Sequence, residues 1–73
     1  MKIEKVDYDF GEMGEKEPSE LFICVAPDTD GAWWSGVSPD DSDAALADMR
    51  GRVLDSGEYA INYPAAKMFK VTL

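Results

Sequence analysis

The sequence contains no histidine and a single cysteine, and it has no basic residue between positions 21 and 49. Without histidine there is no His-dependent catalytic triad and no imidazole metal site. One cysteine excludes an intrachain disulfide, and with no histidine it fits a reducing compartment. Cys24 lies within Leu21-Phe22-Ile23-Cys24-Val25-Ala26, where a thiol is expected to act as a small buried hydrophobe. That six-residue run is far short of the roughly 20 residues a membrane-spanning helix needs. The opening Met1-Lys2-Ile3-Glu4-Lys5 has no apolar stretch long enough for a signal peptide. The chain therefore reads as complete from its initiator Met, with a cytoplasmic location (the host cytoplasm if phage-encoded) and no membrane contact.

With 73 residues, one domain spanning 1–73 is expected. A chain of this size buries only about 60% of its unfolded surface. Its net stability is then about a few kcal/mol unless something staples it.

Acid dominates: 15 Asp and Glu against 7 Lys and Arg give a net charge of −8. Residues 1–20 contribute −4, residues 21–49 contribute −6 with no base, and residues 50–73 contribute +2. Either this acidity serves solubility, or it presents a negative surface to a basic partner protein. Direct binding of DNA or RNA does not fit, because such affinity rests on neutralising phosphates with Lys and Arg.

Periodicity gives the order β-β-β-α-β-β, an α+β fold with a mostly antiparallel sheet and one helix on one face. Val6, Tyr8 and Phe10 alternate in a first strand over 2–10, and a charged Gly-containing loop runs from Gly11 to Pro18. Leu21–Ala26 reads as a central strand. Asp28-Thr29-Asp30-Gly31 reads as a type I turn with a G1 bulge at Gly31, followed by a return strand over Ala32–Val37. Ser38 is the expected helix N-cap with Pro39 at N1, and Ser42 is the alternative cap. Leu46, Met49 and Val53, with Ala45 beside them, form the apolar stripe. Asp48 is placed to pair with Arg52, and Gly57 to stop the helix. Tyr59-Ile61-Tyr63 and Phe69-Val71-Leu73 then suggest two more strands.

Neighbouring strand residues point to opposite faces, so Trp33 and Trp34 divide between the two sides. With a bulge at Gly31, Val25 opposes Ser35 and Ile23 opposes Val37. Trp33 then joins Leu21, Ile23, Val25 and Val37 on the heavier face, the expected helix side. Trp34 falls beside Cys24, Ala26 and Gly36 on the open side, while a two- or four-residue loop would exchange the roles. The open tryptophan either packs under the N-terminal strand or anchors a partner, since Trp dominates interface hot spots.

The candidates for chemistry are thin. Asp28-x-Asp30-Gly31 lacks the flanking acids of a calcium loop, with Ala26 and Val37 where acids are needed. Asp40, Asp41 and Asp43 suit a helix start for dipole reasons alone. Gly11-x-x-Gly14 has no phosphate-loop Lys-Ser/Thr behind it. No enzymatic activity, metal or cofactor is expected.

Segment 20–56 (strand, Asp-Gly turn, strand, acidic helix) resembles in pattern the strand–strand–helix core of the HicB-type antitoxins, though it lacks their proline-containing signature after the second strand. In size and acidity the chain is similar in class to small phage or mobile-element inhibitors of the anti-CRISPR and anti-restriction kinds. The expected function is non-enzymatic protein binding by a monomer or homodimer. Its partner-binding residues would be Trp34, Asp28, Asp30, Asp40, Asp41, Asp43 and Asp48. The alternatives are an antitoxin or immunity protein, and an assembly subunit that self-associates through its open sheet face.

Overall fold

The computed structural model describes residues 4–9, 11, 18–57 and 60–73. Strand β1 (Glu20–Pro27) is central, β2 (Trp33–Ser38) pairs with it antiparallel on one side, and β3 (Lys67–Thr72) pairs antiparallel on the other. Helix α1 (Ser42–Ser56) follows β2, and a 3₁₀ turn, Tyr63–Ala65, precedes β3.

The hairpin follows its turn chemistry. The Gly31 amide donates to the Asp28 carbonyl at 3.1 Å, the Asp28 amide donates to the Ala32 carbonyl at 2.8 Å, and Gly31 takes a φ of 88°. A residue with a Cβ disfavours that left-handed conformation, so glycine is the residue that closes this loop. The resulting register pairs Ile23 with Val37 and Val25 with Ser35, as the bulge predicts.

Three expectations are corrected. The sheet has three strands among the described residues rather than five, in the order β-β-α-3₁₀-β. Residues 4–9 form no strand, and positions 2, 3, 10 and 12–17 lie outside the described residues. In the 58–63 stretch Ile61 makes a single bridge to Asp28 before the chain enters the 3₁₀ turn, because Pro64 has no amide to donate to a ladder; Glu58 and Tyr59 lie outside the described residues.

Second, the helix cap is Asp41 rather than Ser38 or Ser42. Asp41 is extended, and its Oδ1 accepts from the Ala44 amide at 2.7 Å. The Ser38 hydroxyl is already engaged, accepting from the Asp40 amide at 3.1 Å at the end of β2. The other end closes as expected at Gly57, with a φ of 120°.

Third, α1 covers the lighter face. The core is Cys24, Ala26, Ala45, Met49 and Val53, with Phe22, Trp34, Leu46, Ile61 and Ala66 packed around it. Helix and sheet touch most closely at Gly36. A Cβ there would stand 2.3 Å from the Ala45 carbonyl oxygen and 2.4 Å from the Met49 amide nitrogen. The heavier face, with Leu21, Ile23, Val25, Trp33 and Val37, is the one α1 leaves open.

Topology accounts for this choice. Because β1 is antiparallel to both neighbours, β2 and β3 run parallel, and α1 lies in the crossover between them. Such crossovers have one strongly preferred hand. Strand order therefore leaves the helix one face, whichever is heavier in apolar side chains.

Gly36→Ala is accordingly expected to cost about 3 kcal/mol, because the obstruction is helix backbone rather than a movable side chain. A urea denaturation midpoint equal to that of the wild type would show that α1 does not sit this close to β2.

Candidate functional site

Two distinct arrangements flank the hairpin, one internal and one outward. The internal one is built on Asp28, which is only 4% exposed. Its Oδ1 accepts from the Asp30 amide at 2.8 Å and the Ala32 amide at 3.0 Å. Its Oδ2 accepts from the Trp34 indole N–H at 2.9 Å. One carboxylate thus fixes both the turn and the orientation of the half-buried Trp34. The indole bond above all, with the turn amides behind it, holds the Asp28 carboxyl below its ordinary pKa, although burial acts the other way.

Backbone bonds tie the same corner to the later chain. The Thr29 amide donates to Ala60 at 3.0 Å, and the Asn62 amide donates to Pro27 at 2.9 Å. Two sequence candidates, Asp28 and Trp34, are therefore brought together, and they act on each other.

Asp48 is also partly committed inside the molecule. Its Oδ2 accepts from the Val37 amide at 2.9 Å and lies 3.4 Å from Arg52 Nε. The carboxyl pKa is lowered chiefly by the Val37 bond, with Arg52 adding to it. This clamp occupies a donor on edge strand β2 that would otherwise be open to a foreign strand. Asp41 caps α1 while staying exposed. Asp30, Asp40 and Asp43 are exposed without such a role: Asp30 at the hairpin tip, Asp40 just beyond the opposite end of β2, and Asp43 in the first turn of α1. Among the described residues no three of His, Cys, Asp and Glu gather in a metal-ligating group.

The outward arrangement is the open sheet face. Antiparallel register sets Val37, Ile23 and Phe69 in one row, Ser35, Val25 and Lys67 in the next, and Leu21 beside Val71. Trp33 stands at the hairpin end of this face with 60% of its surface exposed, and Val37 with 44%. A shallow cavity of about 470 Å³ lies between Trp33, Phe69, Val25, Ser35 and Lys67, with Trp34 at its margin. No described helix or strand packs over it. A smaller depression of about 280 Å³ lies beside α1, where Arg50 sits over the Tyr63 ring at 5.3 Å and donates to its hydroxyl at 3.1 Å.

The roles expected of the tryptophans are thus reversed. The register is as read from the turn, but Trp34 takes the helix side and Trp33 the open one. Phe69, Val71 and Lys67 were missed as members of the open face, because their pairing with β1 depends on topology. One signal in the sequence did point the right way. A glycine within a strand marks a close backbone approach, so Gly36 identified the helix side.

Burial pushes the Cys24 thiol pKa up; it is 2% exposed, with Sγ 3.8 Å from the Met49 sulfur. It is packed as a core hydrophobe. No helix among the described residues is long and apolar enough to cross a membrane. No protein-family model, no curated protein and no solved structure matches the chain, so no sequence match accompanies the pattern-level resemblance to HicB-type antitoxins.

Two outcomes follow. Acrylamide is expected to quench Trp33 strongly and Trp34 weakly in the two single-tryptophan variants made with Phe; equal quenching would remove the division between the faces. For Asp28, a lowered folded pKa means that its stabilising effect is complete above the unfolded value of about 4 and is lost as pH falls through the folded value. Asp28→Asn, with one acceptor oxygen in place of two, should therefore be less stable than the wild type near pH 7, and the gap should narrow towards pH 2. Chemical denaturation at the two ends of that range measures it, and a gap independent of pH would contradict the assigned role.

Proposed function

We propose that this chain is a non-enzymatic protein-binding domain of the small-inhibitor kind. It docks through its open sheet face, and its acidic ends engage a basic, nucleic-acid-binding site on another protein. The observation that carries this reading is the apolar face that no described helix or strand covers, with Trp33 and Val37 exposed and Phe69 half-buried. Monomeric soluble proteins seldom leave a contiguous apolar surface open unless it makes contacts, and an exposed tryptophan beside a cavity is the usual form of an interface anchor.

The acidic residues support the electrostatic part. Asp30 and Asp40 are exposed just beyond the two ends of β2, and Asp43 is exposed in the first turn of α1, so none of them lies on the strand positions that form the apolar face. Charges so placed steer encounter with a basic surface without having to be desolvated. Asp28 and Asp48, which have internal hydrogen-bond duties, contribute field more than contact. Trp33 takes the anchoring part that the apolar weight of the two faces had assigned to Trp34.

Cross-linking capture from a host extract, read by mass spectrometry, tests this with three proteins. The wild type is expected to retain a basic protein. Trp33→Ala should lose it by at least about tenfold while keeping its circular dichroism, since an interface tryptophan carries about 2 kcal/mol or more. Reversal of Asp40 and Asp43 to Lys, which spares the Asp41 cap, should slow association and flatten its salt dependence. Capture indifferent to both variants and to salt would leave the acidity as a matter of solubility and end the proposal.

A further inference from the structure

The open face is apolar but not neutral. Among the side chains that the register places on it, Lys67 is the one ionisable group and no carboxylate is present, in a chain with 15 acids and 7 bases. Lys67 lines the cavity with Trp33 and Phe69, and it has no ion-pair partner among the described residues. Lys70 differs: it lies on the other side of the same strand and meets Glu20 at 3.2 Å. A cation set among apolar side chains, with no described carboxylate paired to it, favours a ligand that brings a carboxylate.

The face also has a definite width. Three strands put the outer two about 10 Å apart, close to the diameter of one helix at about 10 Å. On the other side of the sheet α1 lies across β1 and β2 in just this way.

We propose that the open face receives an amphipathic helix of another protein. Its apolar stripe enters the Trp33–Phe69 cavity, one carboxylate within that stripe pairs with Lys67, and basic residues towards its ends face Asp30 and Asp40. This rests on the reading of the face as a docking surface and names its occupant. A second copy fits less well: two such faces brought together offer no carboxylate to either Lys67 and oppose a charge of −8 to another of −8.

The test is a displayed library of amphipathic helices, randomised at one position within the apolar stripe and at the flanks. It is selected on immobilised wild type, Lys67→Glu and Trp33→Ala. On the wild type, Asp or Glu at the stripe position should be enriched over Lys or Arg by about tenfold. On Lys67→Glu the preference should invert, and on Trp33→Ala no helix should be enriched. Helices enriched on the wild type without a charge preference, and lost on Trp33→Ala, would overturn the carboxylate assignment while leaving the docking face standing. No enrichment above the Trp33→Ala background would overturn both. Sedimentation equilibrium supplies the remaining arm: a wild-type dimer abolished by Trp33→Ala would make a second copy the occupant and end this proposal.

Discussion

Helix α1 rests directly on the backbone of β2 at Gly36, with the Ala45 carbonyl and the Met49 amide where a side chain would begin. Close approach of a helix to a sheet requires small side chains between them, and Cys24, Ala26 and Ala45 supply these around the glycine. Met49, fully buried, and Trp34, half-buried, then fill the remaining space. The two faces of the sheet are thereby committed. Small residues lie inward, and Leu21, Ile23, Val25, Trp33, Val37 and Phe69 are left outside because their parity along the strands is opposite. The crossover sets which face α1 takes, and the tight packing there leaves the heavier side chains on the face α1 does not cover.

Asp28 holds that division in place at the hairpin end. Its carboxylate accepts from two turn amides and from the Trp34 indole at once, which couples the turn's shape to the side that Trp34 faces. A one-residue slip in the hairpin would exchange the two tryptophans and expose the small face. It would also break all three hydrogen bonds. At the far end of β2 the Asp48–Val37 bond ties α1 to the edge strand. These two carboxylates explain why part of the chain's acidity cannot be reckoned as free surface: it is structural, and its removal would be felt in folding before it was felt in binding.

Local features of the sequence were readable where short-range chemistry decides them. Asp28-Thr29-Asp30-Gly31 specifies its turn and thus the β1–β2 register, Gly57 ends the helix, and of the Leu46–Met49–Val53 stripe Met49 and Val53 are buried with Ala45 beside them while Leu46 is half-buried at the margin. Features set by long-range pairing were not. Val6 and Tyr8 alternate as a strand does, yet residues 4–9 form no strand of the sheet. Alternation reports a tendency and not a partner. The covered face was misjudged because apolar weight on β1 and β2 was taken as the criterion. The crossover to β3 and the bare backbone at Gly36 were the constraints that acted. Lys67 could not be placed beside Trp33 before the β1–β3 register was known.

Among the described residues, a single α-helix on a three-stranded sheet makes a layered structure with one side left open. Covering the open side would stabilise the domain as well as form a complex, because a ligand that binds only the folded state adds its binding free energy to folding. The charge distribution suits that role. Carboxylates placed on the apolar face would have to be stripped of water when it is covered, at a cost that rises steeply for an unpaired charge. At the ends of β2 they remain hydrated and still act over the roughly 8–10 Å that physiological salt allows. On the proposed reading, the rim would govern how fast a basic partner arrives, and the Trp33 face how long it stays. A net charge of −8 on each chain also opposes the approach of a second copy.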